Sequence, residues 1–319
     1  MKRLLVIRFS SLGDVALSVP VVRAAAEQHP DVEITVLSQR RMADLFADLP
    51  SNVKFQGVDI KRQSLRNIVA DLGRFDWVAD LHGVWRSLYV RWCMWFCGAR
   101  VATINKGHWQ KFLLTHGYLR KPLKTTIQRY EKVLQDLGMS VKCQLNVSIK
   151  CQKNGLQKKG IGLAPFAAHE GKMYPLERME EVVQILSGQG EKIVLFGSKD
   201  EAALLEKWEK KYPGVQSVAG KKTLGEELEM MRGLRVMITM DSANMHLASL
   251  VGTRVVSIWG ATHPNAGFLG WGQSEDDCIQ RDLKCRPCSI YGNKKCKYGD
   301  YRCMEIAPEK ITQRLQENE

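Results

Sequence analysis

The stretch from Met1 to Gln28 constrains the fold of this chain more than any other part of it. Two basic residues lead into the apolar run of residues 4–7, which predicts a buried strand. A polar turn comes next, and the apolar segment of residues 15–26 predicts a helix. In α/β sheets such a turn lies at the carboxyl end of its strand, the usual position of a site. The turn holds residues that open tight turns or satisfy free N–H groups where a helix begins: Ser10, Ser11, Gly13 and Asp14.

Two interpretations of this turn stay open on its residues alone: a plain helix cap, or part of a binding site. The turn contains one glycine, so the three-glycine fingerprint of dinucleotide-binding folds is missing. That absence counts against the alternative of an α/β enzyme that uses a dinucleotide.

Strands and helices are predicted to alternate along the whole chain. In the first half we expect strands at residues 32–37, 53–55 and 77–81, and helices at residues 42–49, 65–73, 85–97 and 127–137. In the second half we expect strands at residues 161–165, 192–196, 215–218, 236–239 and, last, 254–259, and helices at residues 176–186, 201–212, 224–231 and 308–316. This spacing predicts the α/β class, with parallel sheets covered on both faces. The polar, lysine-rich segment 140–160 separates the halves, so we expect domains of residues 1–153 and 154–319.

An aromatic stripe marks the helix predicted at residues 85–97. Stripes at helical spacing usually pack against a sheet, so we expect most of these rings in the core. The alternative places some of them, with Arg86 and Arg91, at a membrane interface. The stripe consists of Trp85, Tyr89, Trp92 and Phe96, with Trp95 beside them.

Basic residues are concentrated in the first half of the chain. Residues 1–153 hold 24 Lys and Arg against 12 Asp and Glu, whereas residues 154–319 hold 23 against 22. Such an asymmetry indicates either an anionic partner for the first half or a solvated basic surface. Nucleic acid, a membrane surface and a phosphorylated glycolipid are the candidate partners. The best candidates for contact with an anionic acceptor lie in the loop-rich segment 105–124, and they include Lys106, Lys111, Arg120, Lys121 and Lys124.

The composition of the 319 residues, 45% apolar and 25% charged, is that of a globular protein. No apolar segment approaches the roughly 20 residues of a membrane span. The first apolar run stops at Arg8 without a cleavage site, so we expect no signal peptide and a cytoplasmic location.

Three turns in the second half follow predicted strands and carry polar groups. Lys172 precedes a helix that begins near Pro175, a combination that suits a phosphate. Glu201 closes a turn whose carboxylates suit the hydroxyls of a ribose. Asp241 and Ser242 are predicted to cap a helix that also contains His246. Ordinary caps, a surface lysine and a core histidine are the alternatives.

The motifs of the two halves together resemble those of the bacterial family 9 glycosyltransferases, the ADP-heptose:lipopolysaccharide heptosyltransferases. Residues 8–15, RFSSLGDV, are similar to the opening signature of that family. Residues 241–246, DSANMH, are similar to its Asp-[Ser/Thr]-Gly-x-x-His pattern, with Ala243 where the family has glycine. The Lys-x-x-Pro element matches Lys172 to Pro175, and the glutamate that binds the donor ribose matches Glu201. The resemblance covers nearly the whole chain.

The resemblance implies a GT-B architecture, in which two Rossmann-like parallel-sheet domains face each other across a cleft. The first domain would bind the acceptor, the second the nucleotide sugar, and the last helix would cross back onto the first domain. Transfer would proceed with inversion, without a cofactor or a catalytic metal, and with Asp14 as general base. We therefore expect an ADP-sugar donor, an anionic lipopolysaccharide core acceptor, and peripheral contact with the inner face of the inner membrane. The implied donor-binding residues are Lys172, Glu201, Asp241, Ser242, Ala243 and His246, and the implied acceptor-binding residues are Ser10, Ser11, Gly13, Lys106, Lys111, Arg120 and Lys121.

A cysteine cluster near the C-terminus leaves two interpretations open, a structural zinc site or reduced thiols. A CxxC pair with two further cysteines can hold zinc, and disulfides are disfavoured in a cytoplasmic chain. The cluster consists of Cys285, Cys288, Cys296 and Cys303.

A basic nucleic-acid-binding protein is the alternative from a different functional class. It requires aromatic side chains interleaved with basic residues on one exposed face. Because most rings here are predicted to be core, we expect no nucleic-acid partner.

Overall fold

The computed structural model describes residues 1–144 and 158–317, which form two compact units. The first unit contains Met1–Lys106 and the described residues from Lys124 to residue 144. The second contains Gly107–Leu123 and the described residues from 158 onward. The predicted junction between residues 153 and 154 lies outside the described residues.

The first unit is a parallel five-stranded sheet in the order β3-β2-β1-β4-β5. Its strands are β1 (Lys2–Ile7), β2 (Val32–Gln39), β3 (Val53–Val58), β4 (Trp77–Asp80) and β5 (Arg100–Thr103). Its helices are α1 (Leu12–Gln28), α2 (Leu65–Leu72), α3 (Trp85–Phe96) and α5 (Thr126–Asp136), and a 3-10 helix spans Arg40–Phe46. The last four residues of the central strand β1, Leu4 to Ile7, are apolar because they are buried on both faces of the sheet.

The second unit contains a parallel six-stranded sheet in the order β11-β10-β9-β6-β7-β8. Its strands are β6 (Ile161–Ala164), β7 (Ile193–Leu195), β8 (Val215–Ser217), β9 (Val236–Met240), β10 (Arg254–Trp259) and β11 (Cys278–Gln280). Its helices are α4 (His108–Thr115), α6 (Leu176–Gly188), α7 (Ala202–Lys211), α8 (Leu224–Arg232), α9 (Ala243–Leu250) and α10 (Pro308–Gln316). In both sheets the chain starts at a central strand, builds outward on one side and then crosses to the other, which is the Rossmann-like order.

The predicted α/β class with two parallel-sheet units is confirmed. Among the described strands and α-helices, three were not predicted: β5, α4 and the edge strand β11. Residues 254–259 are therefore not the last strand, since Ser257 to Trp259 of β10 pair with Cys278–Gln280. The short helix predicted at residues 42–49 is a 3-10 helix that starts earlier, at Arg40.

The segment Gly107–Leu123 belongs to the second unit, although the sequence placed it in the first half. Its apolar residues Leu114 and Leu123 form a small core with Ala266. The Leu123 N–H also donates to the Asn265 carbonyl, at 2.8 Å. The last helix, α10, packs against α6 and β10 of its own unit, and its expected crossing onto the first domain stays a prediction.

The prediction that the aromatic stripe of α3 is core is wrong. Trp85, Trp92 and Phe96 are 67%, 59% and 77% exposed. The buried face of α3 is formed instead by Ser87, Val90 and Met94. Because these rings are exposed, they do not count against a nucleic-acid partner.

Within the described residues, we find no helix that combines the length and the apolar character needed to cross a membrane.

Candidate functional site

One candidate site lies in the first unit, at the carboxyl edge of its sheet, where the strand order reverses. The helix after β1 leads to β2 on one side, whereas β4 pairs with β1 on the other side. Ligands of open α/β sheets bind in the crevice outside such a reversal. The register pairs Ile7 of β1 with Asp80 of β4, so the turns after these strands are neighbours. The turn with Asp14 and the turn with His82 therefore lie on one edge of this sheet.

Asp14 lies in the first turn of α1, and its carboxylate is held by two side chains. The Arg8 Nη2 lies 2.5 Å from Asp14 Oδ2, and the Ser11 hydroxyl donates to the same oxygen at 2.8 Å. The guanidinium and the positive end of the helix dipole both place positive charge beside this carboxylate. The Asp14 side chain is 30% exposed, so it remains accessible to a substrate.

Arg8 is the residue that sequence reasoning missed. It follows β1 directly, its side chain is buried, and its Nη1 donates to the Leu81 carbonyl at 2.6 Å. Its guanidinium lies over the ring of Tyr130, whose hydroxyl donates to the Asp14 carbonyl. The signal was present in the sequence, because an arginine that ends a buried strand must find partners at the sheet edge.

His82 and Lys106 complete the charged surroundings of Asp14. Burial, reinforced by Arg8 and Lys106, lowers the pKa of His82 to about 4, so its ring is neutral at pH 7. Burial also lowers the pKa of Lys106, whose ammonium donates to the Gly83 carbonyl at 3.2 Å. Lys106 thus joins Ser11 among the predicted acceptor residues that lie near Asp14.

Asp80 holds the turn after β4 in place. Its fully buried carboxylate accepts hydrogen bonds from the His82 and Gly83 N–H groups and from the Ser87 hydroxyl. Arg91 lies 3.6 Å from the same carboxylate. Because every one of these contacts is local to the turn and to α3, we assign Asp80 a structural role.

Another candidate site lies in the second unit, at the corresponding reversal of its sheet, where β6 pairs with β7 on one side and with β9 on the other. Lys172 follows β6 in a 3-10 helix, Glu170–Lys172, and Asp241 follows β9. The Lys172 Nζ lies 2.7 Å from Asp241 Oδ2, and the two side chains are only 15% and 4% exposed. The two predicted donor residues are thus brought together as an ion pair.

The N-terminus of α9 adjoins this pair. The expectation that the Asp241 and Ser242 side chains cap the helix is wrong: Ser242 is the N-cap by position but makes no side-chain cap bond, and its hydroxyl contacts that of Thr239 at 3.0 Å. Asp241 pairs with Lys172 instead. Ala243 begins the helix at a half-buried position, and His246 is buried one turn later.

The predicted ribose-binding turn is closed by its own glutamate. The Glu201 carboxylate accepts a hydrogen bond from the Ser198 N–H at 2.6 Å, and Glu201 is the N-cap residue of α7. This bond orients the half-buried carboxylate at the carboxyl end of β7, the strand that neighbours β6.

The remaining predicted acceptor residues differ in exposure. Arg120 and Lys121 are exposed, as a contact with an anionic acceptor requires. Lys111 is buried, and its ammonium lies 4.8 Å from the ring centre of Phe268 and 3.3 Å from the Tyr291 hydroxyl. Those partners give Lys111 a packing role in the second unit. On the turn before α1, Ser10 is half-buried, Ser11 exposed and Gly13 buried.

The cysteine cluster contains free thiols. Cys303 is buried and the other three are half-buried, and burial raises the pKa of Cys303 to about 11. Over residues 1–144 and 158–317, no three His, Cys, Asp or Glu side chains converge in an arrangement that could hold a metal ion.

Comparison with known proteins shows the family to which this sequence is similar. The sequence model of the family described as glycosyltransferase family 9 (heptosyltransferase) matches residues 73–299, more than half of the chain.

Individual relatives match at low identity over most of their length. The chain is 25% identical to lipopolysaccharide heptosyltransferase 3 of Escherichia coli over 283 residues, which cover 78% of this chain and 81% of that protein. It is also 25% identical to lipopolysaccharide heptosyltransferase 1 of Pseudomonas aeruginosa, over 93% of this chain and 88% of that one. Its fold is similar to that of the E. coli heptosyltransferase WaaC with ADP-2-deoxy-2-fluoro heptose. The TM-score is 0.71 and the identity 17%, over 99% of this chain and 100% of the other.

Proposed function

The chain belongs to glycosyltransferase family 9, and from this premise we propose that it moves a heptose from an ADP-activated donor to the inner core of lipopolysaccharide, with inversion. Two relatives bear the name lipopolysaccharide heptosyltransferase, and a structural neighbour carries an ADP-heptose analogue. The observation that carries the proposal is that each unit has an ion pair where the strand order of its sheet reverses. These ion pairs are Arg8–Asp14 in the first unit and Lys172–Asp241 in the second.

Asp14 is the general base of the proposed reaction. As the acceptor hydroxyl attacks the anomeric carbon, its proton passes to the Asp14 carboxylate, and the bond from that carbon to the ADP oxygen breaks. Arg8 and Ser11 hold the carboxylate at Oδ2 and so fix its direction before substrate arrives. Neutral His82 adds no positive charge that would compete for the carboxylate.

The second unit binds the donor in this proposal. Lys172 and the first-turn N–H groups of α9 offer positive charge to the diphosphate, whose own charge grows as ADP departs. The buried Asp241 carboxylate keeps the Lys172 ammonium in position. Glu201 accepts a hydrogen bond from a ribose hydroxyl, while Ser242, Ala243 and His246 shape the turn around the phosphates.

The acceptor brings the enzyme to a membrane. Lipopolysaccharide core is an anionic, lipid-anchored substrate, so we place the reaction at the cytoplasmic face of the inner membrane. Arg120 and Lys121 are the exposed cations of the predicted acceptor set, and Lys106 is its member beside Asp14. Ser10, Ser11 and Gly13 form the backbone turn against which the acceptor sugar lies.

Asp14→Asn tests the catalytic step, because asparagine keeps the shape of the side chain and removes its basicity. We expect turnover of ADP-heptose with a heptose-free core acceptor to fall about 10²–10⁴-fold. Calorimetric titration with ADP should give an unchanged dissociation constant, since Asp14 is not assigned to the donor.

Asp31→Asn is the matched control, because Asp31 is an exposed aspartate of the first unit outside the assigned site. Its turnover should equal that of the parent. If Asp14→Asn is folded, binds ADP and transfers heptose within a few-fold of the parent, Asp14 is only a helix residue and the mechanism is wrong. If the parent binds NAD and not ADP, the donor class is wrong.

A further inference from the structure

The exposed face of α3 is an apolar feature of the first unit that has no assigned role. Four of its rings project from one side of the helix, because positions four and three residues apart lie on one face. The opposite side carries Ser87, Val90 and Met94, which are buried against the sheet. The helix is thus apolar on two opposite faces, and only one of them is covered. The exposed face consists of Trp85, Tyr89, Trp92 and Phe96, with Trp95 at its edge.

The part of the first unit that carries α3 is basic. From Leu81 to Lys106 the sequence contains four Lys and Arg residues and no Asp or Glu. Within the helix, the Arg86 guanidinium lies 5.4 Å from the ring centre of Trp85. The neighbouring helix α2 adds one exposed charge of each sign, Arg66 and Asp71, and so leaves this excess unchanged.

The geometry points to α3 as the element that docks the enzyme on a bilayer surface rich in anionic lipid. Tryptophan rings suit the headgroup region because they are apolar and carry one polar N–H. A helix that lies in the plane of that region buries its apolar side while nearby arginines meet lipid phosphates. The inference rests on the proposed function to the extent that a lipid-anchored acceptor requires an enzyme at the bilayer.

The charge pattern favours a bilayer over a second copy of this chain. Two copies that met through α3 would bring two strongly basic stretches together, and like charges repel across an interface. An anionic bilayer removes that repulsion and accepts the rings as well.

Trp92→Ser/Phe96→Ser tests the inference in the full chain. Sedimentation with vesicles of phosphatidylethanolamine and phosphatidylglycerol should show binding of the parent, and at least about a tenfold weaker partition of the variant, because two apolar side chains no longer enter the interface. Vesicles of phosphatidylcholine alone should bind the parent more weakly, since the anionic charge is missing. Tyr298→Ser, which removes an exposed ring of the second unit, is the control and should bind as the parent does.

Both substituted positions are exposed, so the variant should unfold thermally with the parent. Trp85→Ser/Tyr89→Ser removes the other half of the face and replaces the first variant if that one fails to fold. Parent-like vesicle binding by a folded variant overturns the inference. A parent dimer that the variant breaks, or single-stranded oligonucleotide binding that the variant loses, assigns the face to another partner and also overturns it.

A water-soluble acceptor separates this inference from the proposed function. The variant should transfer heptose to a delipidated core acceptor at the parent rate and lose activity only when the acceptor is embedded in vesicles. A parent that binds vesicles through α3 but transfers no heptose would contradict the proposed function and leave the docking surface intact.

Discussion

Two ion pairs at the sheet edges differ in what their carboxylates can do. Asp14 is 30% exposed beside Arg8, whereas Asp241 is 4% exposed beside Lys172. A carboxylate that solvent reaches can exchange a proton with a substrate. A buried one that faces an ammonium serves to hold that cation, and its loss would leave the charge unpaired. An aspartate paired with a cation therefore supports a base in one unit and an anion site in the other.

The lowered pKa of His82 predicts that the stability of the folded chain depends on pH. Its pKa is about 4 in the folded chain and about 6.5 in an unfolded one. Above both values the ring is neutral in both states and contributes nothing. As the pH falls from about 6.5 towards about 4, the unfolded state takes up a proton that the folded state does not, so the free energy of unfolding decreases. His82→Gln should flatten this decrease, measured from denaturant midpoints across that pH range.

The control for this prediction is His108→Gln, which changes an exposed histidine at the start of α4. It should keep the slope of the parent. Equal slopes for the parent and His82→Gln would show that another group produces the acid sensitivity.

At the scale of the element, the short 3-10 helix Glu170–Lys172 positions the Lys172 ammonium. Its central Gly171 packs without room for a side chain: a Cβ there would lie 2.7 Å from the Gly292 carbonyl oxygen and 2.9 Å from the Ala261 Cβ. The Gly171 carbonyl in turn accepts from the Ala261 N–H at 2.7 Å. The loops after β6 and β10 are thus locked together through one glycine.

Gly171→Ala should therefore shift the loop that carries Lys172. We expect the free energy of unfolding to fall by about 1–3 kcal/mol, as in other overpacked sites, and the affinity for ADP to fall with it. Chemical denaturation and calorimetry measure the two effects. Gly188→Ala is the matched control, because a Cβ at the end of α6 meets nothing within 4 Å. A Gly171→Ala variant with parent stability and parent ADP affinity would contradict this account of the loop.

The whole molecule carries a formal net charge of +13, and nearly all of it comes from the first half of the sequence. Exposed lysines and arginines act over the Debye length, whereas the Lys172–Asp241 pair is buried and is screened far less. Salt should therefore affect the two substrates differently.

Raising the ionic strength from about 0.01 M to about 0.15 M shortens the Debye length from about 30 Å to about 8 Å. We expect the KM of the anionic acceptor to rise several-fold over this range while the donor KM changes little. Steady-state kinetics with each substrate varied in turn gives both values. Equal salt effects on donor and acceptor would favour a basic surface that only keeps the protein solvated.

The amino-acid sequence by itself determined the local order of this protein. Apolar runs and helical periods placed the first strand, the polar turn and the first helix, and the spacing of the elements indicated two parallel sheets. The pattern placed Asp14 after a strand of the first sheet and Lys172 and Asp241 after strands of the second, at the carboxyl edge of each sheet. The roles of these residues come from the family resemblance and stay predictions. These features depend on neighbours within one element or one turn.

Only the tertiary structure decided which surfaces and charges are covered. Helix α3 has two apolar faces in its sequence, and the sheet covers the one with Val90 and Met94. The sequence predicts that Lys111 is an exposed cation. Its ammonium instead lies against the rings of Phe268 and Tyr291, which are more than a hundred residues away in sequence. Arg8 became a partner of Asp14 through a contact that the spacing does not show. In each case the contact depends on a residue distant in sequence or on the direction in which a side chain points. No local sequence pattern encodes such a contact.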